Sequence, residues 1–176
     1  MSIHHLCLTA ANDLTMVHII LPTDFSIGSL QPVHEVMQYY RHDVVRITLL
    51  HLVDIPSGIG DLLFRLRRMD ERFPIPQQFL DACEVLANRY DSRLTGITPL
   101  IRYGSSAGFL ENLISGLKAD VVYFQAGFEE QPTFDDSVPL IPLLKRCHAN
   151  IIQLEPVASR SKEQFSTVGD LLLANR

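Results

Sequence analysis

Val17-His18-Ile19-Ile20-Leu21-Pro22-Thr23-Asp24-Phe25-Ser26-Ile27-Gly28 is the stretch whose reading decides the fold. Its first half is a β-branched, apolar run broken only by His18, which fits a buried strand rather than one with a face in water. Pro22 stops the run. Thr23 to Gly28 then reads as a loop, because Thr, Asp and Ser side chains bond their own backbone and favour turns. From Ser29 onward Leu30, Val33, Val36, Met37 and Tyr40 recur at helical spacing, and Pro32 in the first turn costs nothing because its missing N–H would be unpaired there. The unit is strand, loop, helix.

Outward from that unit the pattern repeats. Val44 to Val53 is a nearly continuous apolar run and predicts a second buried strand. Pro56, Gly58, Gly60, Pro74 and Pro76 surround a Leu62 to Arg72 stretch read as a short helix. Phe79, Ala82, Cys83, Leu86, Ala87 and Tyr90 give the spacing of a one-faced helix. A third strand is expected from about Thr98 to Tyr103, a sharp turn at Gly104, and a helix capped by Ser105 or Ser106 with Phe109, Leu110, Leu113, Ile114 and Leu117 on one face. Asp120 to Gln125 predicts a fourth strand, residues 137–147 a fourth helix confined by Pro139 and Pro142, and Asn150 to Leu154 a fifth strand.

Strands alternating with helices predict a parallel sheet with helices on both faces, and ligands of such sheets bind beyond the carboxyl ends of the strands. The segments to examine are therefore Thr23 to Ser29, Val53 to Ser57, Gly104 to Ala107 and Gln125 to Ser137.

The chain has 176 residues, enough for one self-sufficient core, and its 15 Lys and Arg against 20 Asp and Glu give a net charge of −5. That balance argues against nucleic-acid and anionic-membrane partners. Arg65, Arg67, Arg68 and Arg72 form a basic cluster, but Asp61, Asp70 and Glu71 stand among them, as on a solvated helix face. Charged or His residues interrupt every hydrophobic run, and residues 1–15 lack a basic start with an apolar centre, so neither a membrane span nor a secretory signal is expected. Cys7, Cys83 and Cys147, scattered and odd in number, fit reduced thiols and a cytoplasmic location.

His4, His5 and Cys7 offer no fourth ligand at recognised spacing, so no metal site is expected. His18 and His51 lie inside predicted strands and read as partly buried, hydrogen-bonded residues. Cys83 reads as core. Cys147 beside His148 at a helix end is a candidate for a lowered thiol pKa. No G-x-S-x-G or comparable nucleophile setting occurs, so covalent catalysis is not expected. A phosphoacceptor receiver would need a cluster of acids after the first strand and a Lys after the fifth, where this chain has Pro156.

Four pieces together resemble the universal stress protein family over about residues 16–156. They are Ile19-Ile20-Leu21-Pro22-Thr23-Asp24-Phe25-Ser26, Leu49-Leu50-His51-Leu52-Val53-Asp54, Arg102-Tyr103-Gly104 with its capped helix, and Ala119-Asp120-Val121-Val122. The resemblance implies a three-layer α/β sandwich around a five-stranded parallel sheet, Rossmann-like and of the adenine nucleotide alpha hydrolase type, commonly a homodimer. Residues 1–15 then form an N-terminal extension. Residues 157–176 form a tail in which Phe165, Val168, Leu171 and Leu172 suggest an amphipathic helix.

In the family's ATP-binding branch the fourth strand is followed by G-x-x-G, nine residues, then G-S or G-T. Glycines there let backbone N–H groups approach the phosphates, and the hydroxyl and helix start hold the anion. This chain reads Gln125-Ala126-Gly127-Phe128-Glu129-Glu130-Gln131-Pro132-Thr133-Phe134-Asp135-Asp136-Ser137-Val138, and no register restores the motif. Glu129, Glu130, Asp135 and Asp136 also place four carboxylates where a triphosphate would sit, unless a magnesium ion bridges them to it.

The resemblance assigns Asp24 to the adenosine contact, Val53 to the adenine pocket, and Gly127 and Ser137 to the remnant of the phosphate loop. On their own terms Asp24 can pin its turn, Val53 can be core and Ser137 can cap a helix. The expectation is a non-catalytic stress-response or regulatory domain without a cofactor, acting as a homodimer through contacts with an unknown protein partner. The alternative is a divergent adenine nucleotide binder using ATP and magnesium, with weak hydrolysis.

Overall fold

β1 (Met16–Pro22) is the centre of the sheet, and its side chains define the two outer layers. Successive residues of a strand point to opposite faces. Ile19 and Leu21 accordingly join one core with Val33, Val36, Met37, Phe79 and Leu86, while Ile20 joins the other with Leu110, Ile114, Leu143 and Leu144. The computed structural model that shows this describes residues 15–55 and 73–155, together with Gly169. The expected extension with His4, His5 and Cys7, the basic cluster with its short helix, and the amphipathic tail lie outside the described residues.

A 3₁₀ turn (Ile27–Leu30) follows β1, its first N–H groups satisfied by the Ser26 hydroxyl, which accepts from the Ser29 N–H. It leads into α1 (Pro32–Tyr39), then β2 (Val44–Val53), α2 (Gln77–Arg89), β3 (Leu94–Tyr103), α3 (Ala107–Gly116) and β4 (Val121–Gln125). β5 (Ser137–Val138), α4 (Leu140–Leu144) and β6 (Ile151–Leu154) close the described part. The main path of the sheet runs β3-β2-β1-β4-β6, all parallel. Chain order therefore reverses between β1 and β4, which places a crevice beyond their carboxyl ends.

Three elements depart from expectation. β3 starts at Leu94 rather than Thr98, because Val45 pairs with Leu94 and Arg46 with Gly96, leaving Thr95 as a bulge whose hydroxyl donates to the Val45 carbonyl at 3.1 Å. The predicted 137–147 helix shrinks to Leu140–Leu144 with Pro139 as its N-cap, since proline has no N–H to donate inside a helix. Ser137 and Val138 instead pair antiparallel with Val53 and Leu52, using the flank of β2 that is vacated where β1 stops at Pro22. Ser137 is thus a strand residue and not a helix cap.

The remaining expectations can be placed directly. Cys83 is buried, and burial pushes its thiol up to about 12. Cys147 is corrected: burial and the Glu111 carboxylate raise its thiol pKa, and its Sγ lies 3.3 Å from the Leu143 carbonyl it donates to. His18 is buried, with Nε2 2.8 Å from the Thr48 hydroxyl and Nδ1 between the Leu117 carbonyl and the Arg46 guanidinium. Gly127 has φ +76° in the turn closed by the Phe128 N–H on the Gln125 carbonyl, a conformation that L side chains disfavour. Gly127→Ala meets no steric neighbour there. It is expected to lower stability by about 1 kcal/mol in thermal denaturation from backbone strain alone. An unchanged melting temperature would show that the turn is not held in the folded chain.

Candidate functional site

Asp24 follows the end of β1, and although nearly all of it is buried it is fully partnered. Its Oδ1 accepts from the Ser26 N–H at 2.9 Å and its Oδ2 from the Gln131 N–H at 3.1 Å. The second bond ties the β1 loop to the loop after β4. Thr133 adds to the tie by donating its hydroxyl to the Asp24 carbonyl. Between these anchors Phe25 holds φ +59°, a left-handed conformation costing about 1 to 2 kcal/mol. The Thr23 hydroxyl stabilises it by accepting from the Phe25 N–H at 2.9 Å.

His51, on β2, links the same two loops. Its Nδ1 lies 2.7 Å from the Thr23 carbonyl, which can only accept, so Nδ1 carries the proton and Nε2 accepts from the Ser137 hydroxyl at 3.0 Å. The Ser137 oxygen in turn accepts from the Phe134 N–H at 2.9 Å. Burial lowers the His51 pKa, against smaller raising effects from the Thr23 carbonyl and the Asp24 charge, and keeps the ring neutral.

Over this polar chain sits a cluster of rings. Phe134 lies with its centroid 5.9 Å from Phe25, 5.6 Å from His51 and 5.0 Å from Phe73, tilted or edge-on in each case, the preferred arrangement of aromatic quadrupoles. Phe73 continues the cluster to Tyr103, at 6.0 Å. Val53 forms its floor, completely buried among Phe73, Tyr103, Ile101 and Phe134. The Tyr103 hydroxyl is buried and has no hydrogen-bond partner among the described residues.

Of the four loop carboxylates, Glu130 turns inward. Its Oε2 accepts from the Ile141 N–H at 2.9 Å at the start of α4. Burial raises its pKa most, the N–H groups of Ile141 and Leu140 lower it, and the Asp24 charge raises it again. Glu129 and Asp135 are exposed, and Asp136 gives its carbonyl to the Asp54 N–H at 2.8 Å. Among the described residues no group of His, Cys, Asp and Glu could hold a metal ion, and no helix is long and apolar enough to cross a membrane.

The structure thus links Asp24, Val53 and Ser137 through the loop after β4 and leaves Gly127 in an exposed turn. His51, Gln131, Phe134 and Tyr103 complete the site and were not singled out as site residues by sequence. His51 had a signal: it stands two residues before Val53 on β2 and so shares its face. Gln131 and Phe134 lie inside the Gln125 to Ser137 segment marked by its place after a strand, but no periodicity distinguishes them within it. Phe134 fills the space over Val53, Asp24 has spent both oxygens on backbone N–H groups, and Glu130 stands at the start of α4.

Fold and site together define a Rossmann-like α/β domain whose loop after β4 packs onto the ends of β1 and β2. No family model and no curated protein matches the chain. The fold is similar to solved structures that include universal stress proteins. A hypothetical protein is 17% identical with a TM-score of 0.49, covering 82% of this chain and 99% of its own. UspA from Lactobacillus plantarum is 15% identical with a TM-score of 0.45, covering 78% and 97%. A universal stress protein family protein from Arabidopsis thaliana with AMP bound is 13% identical with a TM-score of 0.44, covering 81% and 93%.

Proposed function

We propose that this chain is a universal stress protein-like domain, non-catalytic and cytoplasmic, that acts as a homodimer through protein contacts in a stress-response or regulatory role after losing its ATP loop. The observation that carries this reading is the loop after β4 packed onto the strand ends, where the Gln131 N–H bonds Asp24 and Phe134 packs with Val53. Among the described residues β6 is bonded on one side only, which supports pairing, since such a strand offers N–H and C=O groups to a second copy, and Ile152 on it is exposed. Calorimetric titration with ATP, with and without magnesium, is expected to show no binding tighter than about 10 μM, a free energy near −7 kcal/mol. Tighter binding, or a nucleotide found by mass spectrometry in the purified protein, overturns the loss of the ATP loop. A monomer mass in light scattering overturns the dimer.

A second reading, a divergent adenine nucleotide binder with weak hydrolysis, draws support from the linkage of Asp24, Val53 and Ser137 beyond the ends of β1 and β2.

A further inference from the structure

We propose that residues 164–173 dock as an amphipathic helix on the exposed apolar face of β6, beside α1 of the same chain. This contact does not depend on the reading above, since a helix on the face of β6 leaves its hydrogen-bonding edge free for a second copy. The face is identified by register. α1 and α2 form the layer that meets Ile19 and Leu21, and α3 and α4 the layer that meets Ile20. Residues paired across a ladder share a face, so Ile151, beside Val122, faces α3 and α4, whereas Ile152, beside Tyr123, faces the layer of α1.

On that side α1 reaches β4, where the Tyr40 and Tyr123 hydroxyls lie 3.0 Å apart. Beyond this contact Ile152 is 37% exposed and Leu154 on the same face is half-buried. Tyr39, at the end of α1, is 73% exposed with its ring 4.9 Å from that of Tyr40. Gln153, which points to the other face, is polar, so the exposed apolar side chain of β6 belongs to the α1 side.

Continuity of the chain says what covers it. Glu155 follows β6 directly, and Phe165, Val168, Leu171 and Leu172 come after it at helical spacing, with Ser166 and Asp170 on the opposite side. Gly169, at the flank of that stripe, is helical and exposed. From Phe165 to Leu172 the stripe is about 12 Å long, against about 13 Å for the four residues of β6. Residues 156–164 can span up to about 30 Å, and turning back onto the face takes about 10 Å, the width of one helix. A helix this short is marginal alone in water, so burial of its stripe is what keeps it folded.

The test is limited proteolysis of the full chain by chymotrypsin, with mass spectrometry reading cleavage after Phe165 in wild type, Ile152→Asp and Gln153→Asp, each checked for folding by circular dichroism. Cleavage requires the segment to leave the face, so its rate follows the open population. Ile152→Asp is expected to speed it at least about tenfold, and Gln153→Asp, on the same strand but the other face, less than about twofold. An unchanged rate in a folded Ile152→Asp overturns the proposal, and so does an equal rise in both variants, which would mean that β6 itself had loosened.

Should Ile152→Asp fail to fold, Ile152→Thr, which keeps the β-branch and loses apolar contact, decides it. Cleavage at least about threefold faster supports the contact, and an unchanged rate overturns it. The wild-type rate is expected to stay constant over an about hundredfold range of protein concentration. A rate that falls as concentration rises puts the segment on a second copy and overturns docking within the chain.

Discussion

Asp24→Ala is expected to lower the unfolding free energy by about 3 kcal/mol, a fall in melting temperature of about 9 °C for a chain of this size. Two charge-assisted bonds are lost, to Ser26 and across the fold to Gln131, and the second of them ties two loops together around a residue only 4% exposed. Asp24→Asn is expected to fall between wild type and Ala. It keeps the oxygen for Ser26 but turns an NH₂ toward the Gln131 N–H, setting donor against donor. Urea denaturation at neutral pH measures both, and amide exchange at Gln131 reports the loop separately. An unchanged midpoint for Asp24→Ala would mean that the carboxylate is not engaged by the chain and stands free for a ligand.

That expectation separates two roles that the sequence left open for Asp24, turn anchor and nucleotide contact. The bond to Ser26 was legible, because an Asp just past a strand accepts from the N–H two residues on. The bond to Gln131 was not, since the two residues are 107 positions apart and only the returning loop brings them together. The same distinction runs through the fold. β1, β2 and α2 stood out because burial imposes period on their sequences: both strands are almost wholly buried, and Phe79, Ala82, Cys83 and Leu86 line one stripe of α2. The first turn of β3 did not, because Thr95 and Gly96 belong to a bulge on an edge strand, where no core face writes a pattern.

The loop after β4 is where sequence and structure diverge most usefully. Its single glycine and its carboxylates set its sequence apart from the family's phosphate motif, but what the loop does in the fold is set by tertiary pairing. Ser137 and Val138 take a place beside β2 because β1 ends early, and that pairing holds Phe134, three residues upstream, over Val53. Ser137 keeps a hydroxyl at the site and spends it on His51 rather than on an anion.

His51 makes this arrangement depend on pH. Its folded pKa lies below the ordinary 6.5 because burial disfavours the imidazolium, so the unfolded chain takes up the proton more readily. The stabilising contribution is therefore complete above 6.5 and is lost as pH falls from 6.5 through the lowered folded value. His18 acts in the same direction, depressed first by burial and then by the Arg46 charge, with the Leu117 carbonyl and Asp120 opposing. Glu35 and Glu130 act oppositely: burial raises both above 4.5, so the folded state keeps their protons longer and gains stability as pH falls through their folded values toward 4.5.

A comparison of variants isolates His51 from the other three groups. His51→Gln can donate and accept but does not titrate. Its loss of stability between about pH 7.5 and about pH 5 is expected to be smaller than that of the wild type in chemical denaturation. His51→Ala, which removes both hydrogen bonds and leaves a cavity between Phe25 and Phe134, is expected to cost about 3 kcal/mol at neutral pH. Equal pH dependence in wild type and His51→Gln would show that the His51 ring is reached by solvent, which would require the loop that carries Phe134 and Ser137 to stand open in the folded protein.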